Sequence, residues 1–210
     1  MRICLNRVQI LRDDWFLSAD GRFCEGTHLV SGRIGSGKST LALVMAGLFS
    51  PTSGTIEYEG SPSTMLSLQF PEYHVTGSTL IEECLSWGLD PSRILLNVEL
   101  EDRPDSDPLS LSRGELKRLH LACVLEQQND ILLLDEPFSA LDCDQKMRLC
   151  NQLSKRTSGI TVIFTHEQEF LPPIDRYWEI REGNLMDLGR SPGDGNQILY
   201  YGQKQERPET

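Results

Sequence analysis

Gly32-Arg33-Ile34-Gly35-Ser36-Gly37-Lys38-Ser39, with Thr40 behind it, decides the fold. The run satisfies G-x-x-x-x-G-K-[ST], and it stands where that pattern acquires meaning, between a short apolar strand at His28–Ser31 and a helical stretch at Lys38–Ala46. Glycines let the backbone curl so that successive N–H groups and the helix N-terminus point at phosphate oxygens. Lys38 adds a point charge at the β- and γ-phosphates, and the Ser39 hydroxyl offers a ligand to Mg²⁺. The bland alternative, a glycine turn beside a surface lysine, explains neither the strand nor the helix.

Working outward, the strand-then-helix unit returns. Ile131–Leu134 reads as a buried strand followed by a helix over Asp142–Leu153, and Ile160–Thr165 reads as a further buried strand. Strands alternating with helices in this way predict βαβ units and a parallel sheet, hence an α/β fold. The segment Ile3–Gly26 mixes short apolar stretches with turn residues (Asp13-Asp14, Asp20-Gly21) and, with Thr55–Glu59, predicts short strands ahead of that core. Tyr177–Ile180 and Leu185–Leu188 flank residues 181–184, where a hairpin turn is expected. Gly189 to Thr210 is polar and expected to be a loosely held tail.

At 210 residues the chain is expected to form one compact unit, and 39% hydrophobic with 24% charged residues excludes a disordered or fibrous protein. No apolar stretch approaches the roughly 18 residues of a membrane-spanning helix, and no basic-plus-apolar leader is visible, so an integral or secreted protein is not expected. The formal net charge of −11 repels nucleic acid, which is not expected as a partner. Six cysteines (Cys4, Cys24, Cys84, Cys123, Cys143, Cys150) contain no C-x-x-C pair and are expected to be buried thiols.

Two further constellations carry chemistry. The apolar strand Ile131–Leu134 delivers Asp135 and Glu136 to its C-terminal end, where open α/β sheets bind ligands. Asp135 would hold Mg²⁺, directly or through water, while Glu136 polarises an attacking water. Ser112-Arg113-Gly114-Glu115 is an S-x-x-E capping box that starts a helix running through Leu125. A helix N-terminus with a hydroxyl and a glycine is also an anion site, although a plain helix start explains the same spacing.

The order of these motifs resembles the ATP-binding cassette (ABC) ATPases over about Ile3–Leu188. Gly32–Thr40 matches that family's phosphate loop, Gln69 its glutamine loop, and Leu111–Glu115 its signature. Ile131–Glu136 matches the catalytic strand, Ser139-Ala140-Leu141-Asp142 the D-loop, and Thr165-His166 the switch histidine. The resemblance implies a P-loop NTPase with a RecA-like parallel-sheet core, an antiparallel β subdomain and a small helical signature subdomain. It implies an ATPase domain over residues 1–188, with the helical subdomain at about 70–125 and a tail at 189–210.

It also implies ATP and Mg²⁺ as ligands. ATP would be held by Gly32, Gly35, Ser36, Gly37, Lys38, Ser39 and Thr40, and Mg²⁺ by Ser39, Gln69 and Asp135, with Glu136, His166 and Gln69 as the catalytic set. Two cassettes of this family sandwich ATP head to tail, so Ser112, Arg113, Gly114 and Glu115 would act on the nucleotide of a second ABC subunit, in a homo- or heterodimer. The adenine-stacking aromatic is assigned to Trp15, beside Phe16, with core packing of both as the other reading. The usual signature has glycine where Arg113 stands, which either obstructs closure or adds charge. His28, His74 and His120 lack a motif and read as structural.

Phe70-Pro71-Glu72-Tyr73-His74, Gly77–Glu83 and Trp87-Gly88-Leu89 are similar to energy-coupling-factor ATPases, the motors of vitamin and transition-metal importers, although Tyr73 and His74 depart from the usual polar pair. That likeness implies an integral membrane transporter subunit docking near Phe70–Leu89, and a peripheral place on the cytoplasmic face of the cell membrane. The alternative is a soluble ABC ATPase acting on DNA or ribosomes. A GTPase is disfavoured because no Asn-Lys-x-Asp motif occurs.

Overall fold

A computed structural model describes residues 1–12 and 15–190. The order is β1 (Arg2–Arg12), β2 (Trp15–Cys24), β3 (Gly26–Gly32), α1 (Lys38–Met45), β4 (Ser53–Tyr58), β5 (Thr64–Ser67), α2 (Leu80–Ser86), α3 (Pro91–Asn97), α4 (Arg113–Glu126), β6 (Ile131–Asp135), α5 (Cys143–Ser154), β7 (Ile160–Phe164), β8 (Arg176–Arg181) and β9 (Asn184–Arg190). Short 3₁₀ turns at Pro71–His74 and Pro108–Ser110 complete it. The expected turn at Asp13-Asp14 and the residues beyond Arg190 lie outside the described residues. Gly189 and Arg190, expected to begin the tail, belong instead to β9, opposite Tyr177 and Arg176.

The strands form one sheet in the order β4-β1-β2-β9-β8-β3-β7-β6-β5. From β8 to β5 every pairing is parallel. β4, β1 and β2 form an antiparallel wing, joined to the antiparallel β8–β9 hairpin by one parallel pairing, Ser18 with Asn184. The expected parallel core and antiparallel portion are both present.

β6 explains why its sequence reads as an unbroken apolar run. Ile131 and Leu133 enter a core with α1 and the wing, while Leu132 and Leu134 enter a second core with α4 and α5. Both faces of the strand are covered, so no polar alternation survives. α2, α3 and one side of α4 share a third core built on Leu80, Ile94, Leu95, Leu116, Leu119 and Cys123.

Three further sequence expectations change. The N-terminal segment forms two long strands rather than short ones, because a bulge between Leu5 and Val8 shifts the β1 register and breaks its alternation. Asp20-Gly21 is inside β2, not in a turn: the bare Gly21 lets the Trp178 ring approach to 2.8 Å from where a Cβ would stand. Only Cys84 and Cys123 are buried, and Cys24 and Cys143 are exposed. The helices α2 and α3, within the expected helical subdomain, start at side-chain caps, Thr79 with Glu82 three residues on and Asp90 ahead of Pro91, whereas the short strand β5 has no comparable mark.

Candidate functional site

β3 ends at the glycine loop, and α1 begins behind it. Gly37, the residue capping α1, has φ 104° and no side-chain cap, and the first turn contains no acidic residue. The first N–H groups of α1 thus have no side-chain acceptor of their own helix, and the positive end of its dipole is unopposed there. Only glycine serves at this position: its conformation is left-handed, and a Cβ would stand 2.4 Å from the Trp15 ring.

Lys38 is buried at 6% exposure. Its Nζ donates to the carbonyls of Gly32 at 2.9 Å and Arg33 at 3.3 Å, and lies 3.5 Å from Glu136 Oε1. Glu136 has φ 46° and follows directly from β6. Its Oε2 accepts from the Thr165 hydroxyl at 2.8 Å, and its Oε1 accepts from His166 Nδ1 at 2.8 Å. Three elements therefore converge on one carboxylate: the glycine loop through Lys38, β6, and the end of β7 through Thr165 and His166.

Asp135 is 2% exposed, and its Oδ1 has no hydrogen-bond partner among the described residues. Burial pushes its carboxyl up from the usual range, and the Ser39 hydroxyl opposes that shift. A buried, under-satisfied carboxylate oxygen beside a serine hydroxyl suits a hard, oxygen-seeking cation. Among the described residues no group of three His, Cys, Asp or Glu side chains could hold a metal. Asp135 would suit Mg²⁺, for which one carboxylate and the substrate phosphates can share the coordination.

Trp15, Gly35, Gly37, Lys38, Ser39, Thr40, Gln69, Glu136 and His166 line one cleft of about 460 Å³, together with Arg12 and Ile34. Gly32 is tied to this wall through Lys38, and Asp135 ends β6 one residue ahead of Glu136. Ser36 lines a neighbouring cleft of about 730 Å³ that shares Trp15, Ile34 and Gly35 and adds Phe16, Arg33 and Arg181. Trp15 packs partly into the core, whereas Phe16 is exposed, so the reading that both aromatics pack into the core is corrected for Phe16.

The structure does not bring the signature residues to either cleft. Ser112 caps α4 and Glu115 closes the box, its carboxylate accepting from the Ser112 N–H at 2.9 Å while its own N–H donates to the Ser112 hydroxyl at 3.3 Å. These bonds, with the Arg103 guanidinium, hold the Glu115 carboxyl down to about 2. Arg113 is exposed. Gly114 lies against the D-loop, where a Cβ would be 2.9 Å from the Ala140 carbonyl. Within the D-loop the Ser139 hydroxyl donates to the Glu136 carbonyl at 2.8 Å, Ala140 has φ 63°, and Asp142 caps α5. Leu141 packs beside the core shared by α4 and α5. A continuous set of contacts therefore runs from the start of α4 to Glu136.

Three residues at the site escaped the motif reading. Arg12 lines the cleft and lies over the Phe49 ring at 4.8 Å. Thr165, quoted only as part of the His166 motif, bonds Glu136. Lys117, on α4, is 1% exposed and donates to the carbonyls of Leu68 and Gln69. Burial pulls its ammonium down to about 8, against the attraction of Asp135, Glu136 and Glu72. No local pattern marks Lys117, whose burial follows from the packing of α4 over Leu68 and Gln69. The three unassigned histidines are structural as expected: His28 contacts Cys24 and Trp178, His74 accepts from the Leu68 N–H, and His120 contacts Ser67.

A model of the ABC transporter family matches residues 24–139. A probable sulfate/thiosulfate import ATP-binding protein of Chlorella vulgaris is 36% identical, over 75% of this chain and 77% of that protein. An energy-coupling factor transporter ATP-binding protein of Thermotoga maritima is 32% identical, over 88% of this chain and 80% of that one. Two longer curated relatives are spanned over only 52% and 24% of their length. Among solved structures, an inward-facing putative metal-chelate type ABC transporter superposes with a TM-score of 0.70 at 20% identity, covering 90% of this chain and 82% of that one, a likeness of fold.

Proposed function

The chain belongs to the ABC transporter family and is an ATPase, and we propose that it is the nucleotide-binding subunit of an importer of the energy-coupling-factor type, for a vitamin or a transition-metal ion. The importer type is supported by the 32% identity to an energy-coupling factor transporter ATP-binding protein over 88% of this chain. The observation that carries the pairing is the division of the site: one cleft gathers the glycine loop, Lys38, Gln69, Glu136 and His166, while Ser112 and Gly114 stand elsewhere on the chain. A second ABC subunit, a copy or a relative, supplies the missing helix N-terminus.

The α1 amides and Lys38 bind the β- and γ-phosphates of ATP, and Trp15 stacks on the adenine. Ser39, Asp135 and Gln69 would hold Mg²⁺, which when bound would supply charge neutralisation at those phosphates. Glu136 accepts the proton of the attacking water, and His166, bonded to Glu136 Oε1, would contact the γ-phosphate. Closure of two cassettes over ATP adds contacts that exist only in the closed state, so nucleotide drives association.

Phe70, Tyr73 and Leu85 are exposed apolar residues on the segment Phe70–Leu89, which would dock an integral membrane subunit and hold the chain at the cytoplasmic face of the membrane. No helix among the described residues is long and apolar enough to cross a membrane itself. The ATPase domain occupies residues 1–188 in this reading, with a helical subdomain at about 70–125. Purification of the tagged chain from host membranes in mild detergent tests it. An integral membrane protein and a second cassette in near-stoichiometric amounts are expected; recovery of soluble proteins, ribosomes or DNA alone would leave the ATPase and remove the transporter.

A further inference from the structure

α4 buries two polar side chains on faces that otherwise pack apolar residues, Lys117 at 1% and His120 at 5% exposure. A buried ammonium is costly and persists where acceptors meet it. Lys117 Nζ donates to the Gln69 carbonyl at 3.1 Å and the Leu68 carbonyl at 3.4 Å. The same residue is held at its other backbone group, the Leu68 N–H donating to His74 Nε2 at 3.0 Å. The His74 ring stacks on His120 at 4.3 Å, and His120 Nε2 lies 3.0 Å from the Ser67 hydroxyl. Three consecutive residues, Ser67 to Gln69, are thus tied to α4, directly or through His74.

We infer that Lys117 is a positioning residue for hydrolysis: it anchors the Gln69 backbone to α4, so that the Gln69 side chain is presented to the cleft only while α4 holds its place. This rests on the role proposed above for Gln69. The helix so coupled is the one that begins at Ser112. A displacement of its N-terminus by a second cassette would therefore be felt at Gln69 through a side-chain contact, besides the D-loop route through Ala140. A lysine suits the task because one flexible stem carries several donors and spans two consecutive carbonyls.

The test uses the full chain in the assembly isolated from host membranes, comparing wild type, Lys117→Met, Lys117→Gln, Gln69→Ala and the double variant Lys117→Met/Gln69→Ala. Lys117→Met removes a buried charge at similar side-chain length, and Lys117→Gln retains an N–H donor. Lys117→Met should lower kcat by about tenfold or more while ATP affinity stays within about twofold, the pattern of a lost alignment rather than a lost binding contact. Lys117→Gln should recover part of the loss, and the double variant should be no slower than Gln69→Ala. Hydrogen exchange at the Leu68 amide should accelerate in Lys117→Met. Unchanged kcat in Lys117→Met beside a slow Gln69→Ala, or losses that multiply in the double variant, would overturn the inference. If Gln69→Ala turns over normally, the role of Gln69 fails instead; exchange at Leu68 then decides the anchor, acceleration supporting it and no change refuting it.

Discussion

α1 and α4 begin in opposite ways. α1 starts at a left-handed glycine, with no side-chain cap and no acid in its first turn. α4 starts at a serine whose hydroxyl and backbone are both engaged by Glu115, with Arg103 fastened to that carboxylate. The first helix keeps its N-terminal donors and its positive dipole end for a ligand, and it sits at the cleft. The second has satisfied part of its own N-terminus and stands outside the cleft. A helix start can thus be a receptor in itself or a prepared surface awaiting a ligand held by another molecule.

The contrast can be broken or sharpened by substitution. The largest effect is expected at the carboxylate the α1 side organises: Glu136→Gln should still bind ATP but lose about 10²–10⁴-fold in turnover, since an amide cannot accept the proton of water. Steady-state hydrolysis and equilibrium nucleotide binding measured on the same preparation check it, and normal turnover would move the catalytic role elsewhere. Next, Lys38→Ala should weaken ATP binding by about a hundredfold, the scale of one charge-assisted phosphate contact. Retained affinity in a fluorescent-nucleotide titration would contradict the receptor role of α1.

The smallest effect belongs to the self-satisfied helix. The Glu115 carboxyl is held down to about 2 from an ordinary 4.5, chiefly by its bonds to Ser112. A depressed folded-state value gives stability that is fully present above about pH 4.5 and is lost as pH falls toward 2. Glu115→Gln keeps an acceptor for the box but cannot titrate. It should lower stability near neutral pH by about 1 kcal/mol or less, with the deficit vanishing in urea melts performed at progressively lower pH. A deficit independent of pH would assign the effect to packing.

Much of this was legible in the residues because the chemistry at the cleft demands particular types at fixed spacing. Gly37 must be glycine for its conformation and its neighbour Trp15, and Asp135-Glu136 must end a strand buried on both faces. What escaped depends on distances no local pattern encodes. The bulge at Leu5–Val8 disguises a long strand as two fragments. Lys117 looks like a solvent residue until α4 is laid over Leu68 and Gln69. The contact of Gly114 with Ala140 joins two motifs that are separate in the chain, and only the packing of α4 against the turn before α5 reveals it. Trp15 and Phe16 are adjacent and chemically alike, yet strand alternation sends one toward the core and the cleft and leaves the other exposed.

The central claim is that the site is completed in trans, and sedimentation of the Glu136→Gln chain, alone and with any cassette that co-purifies with it, tests it most directly. Mg-ATP should convert single cassettes to pairs, and Ser112→Arg in the same background should bind ATP yet remain unpaired. An unchanged mass with ATP demonstrably bound, or pairing that survives Ser112→Arg in every cassette present, would contradict it.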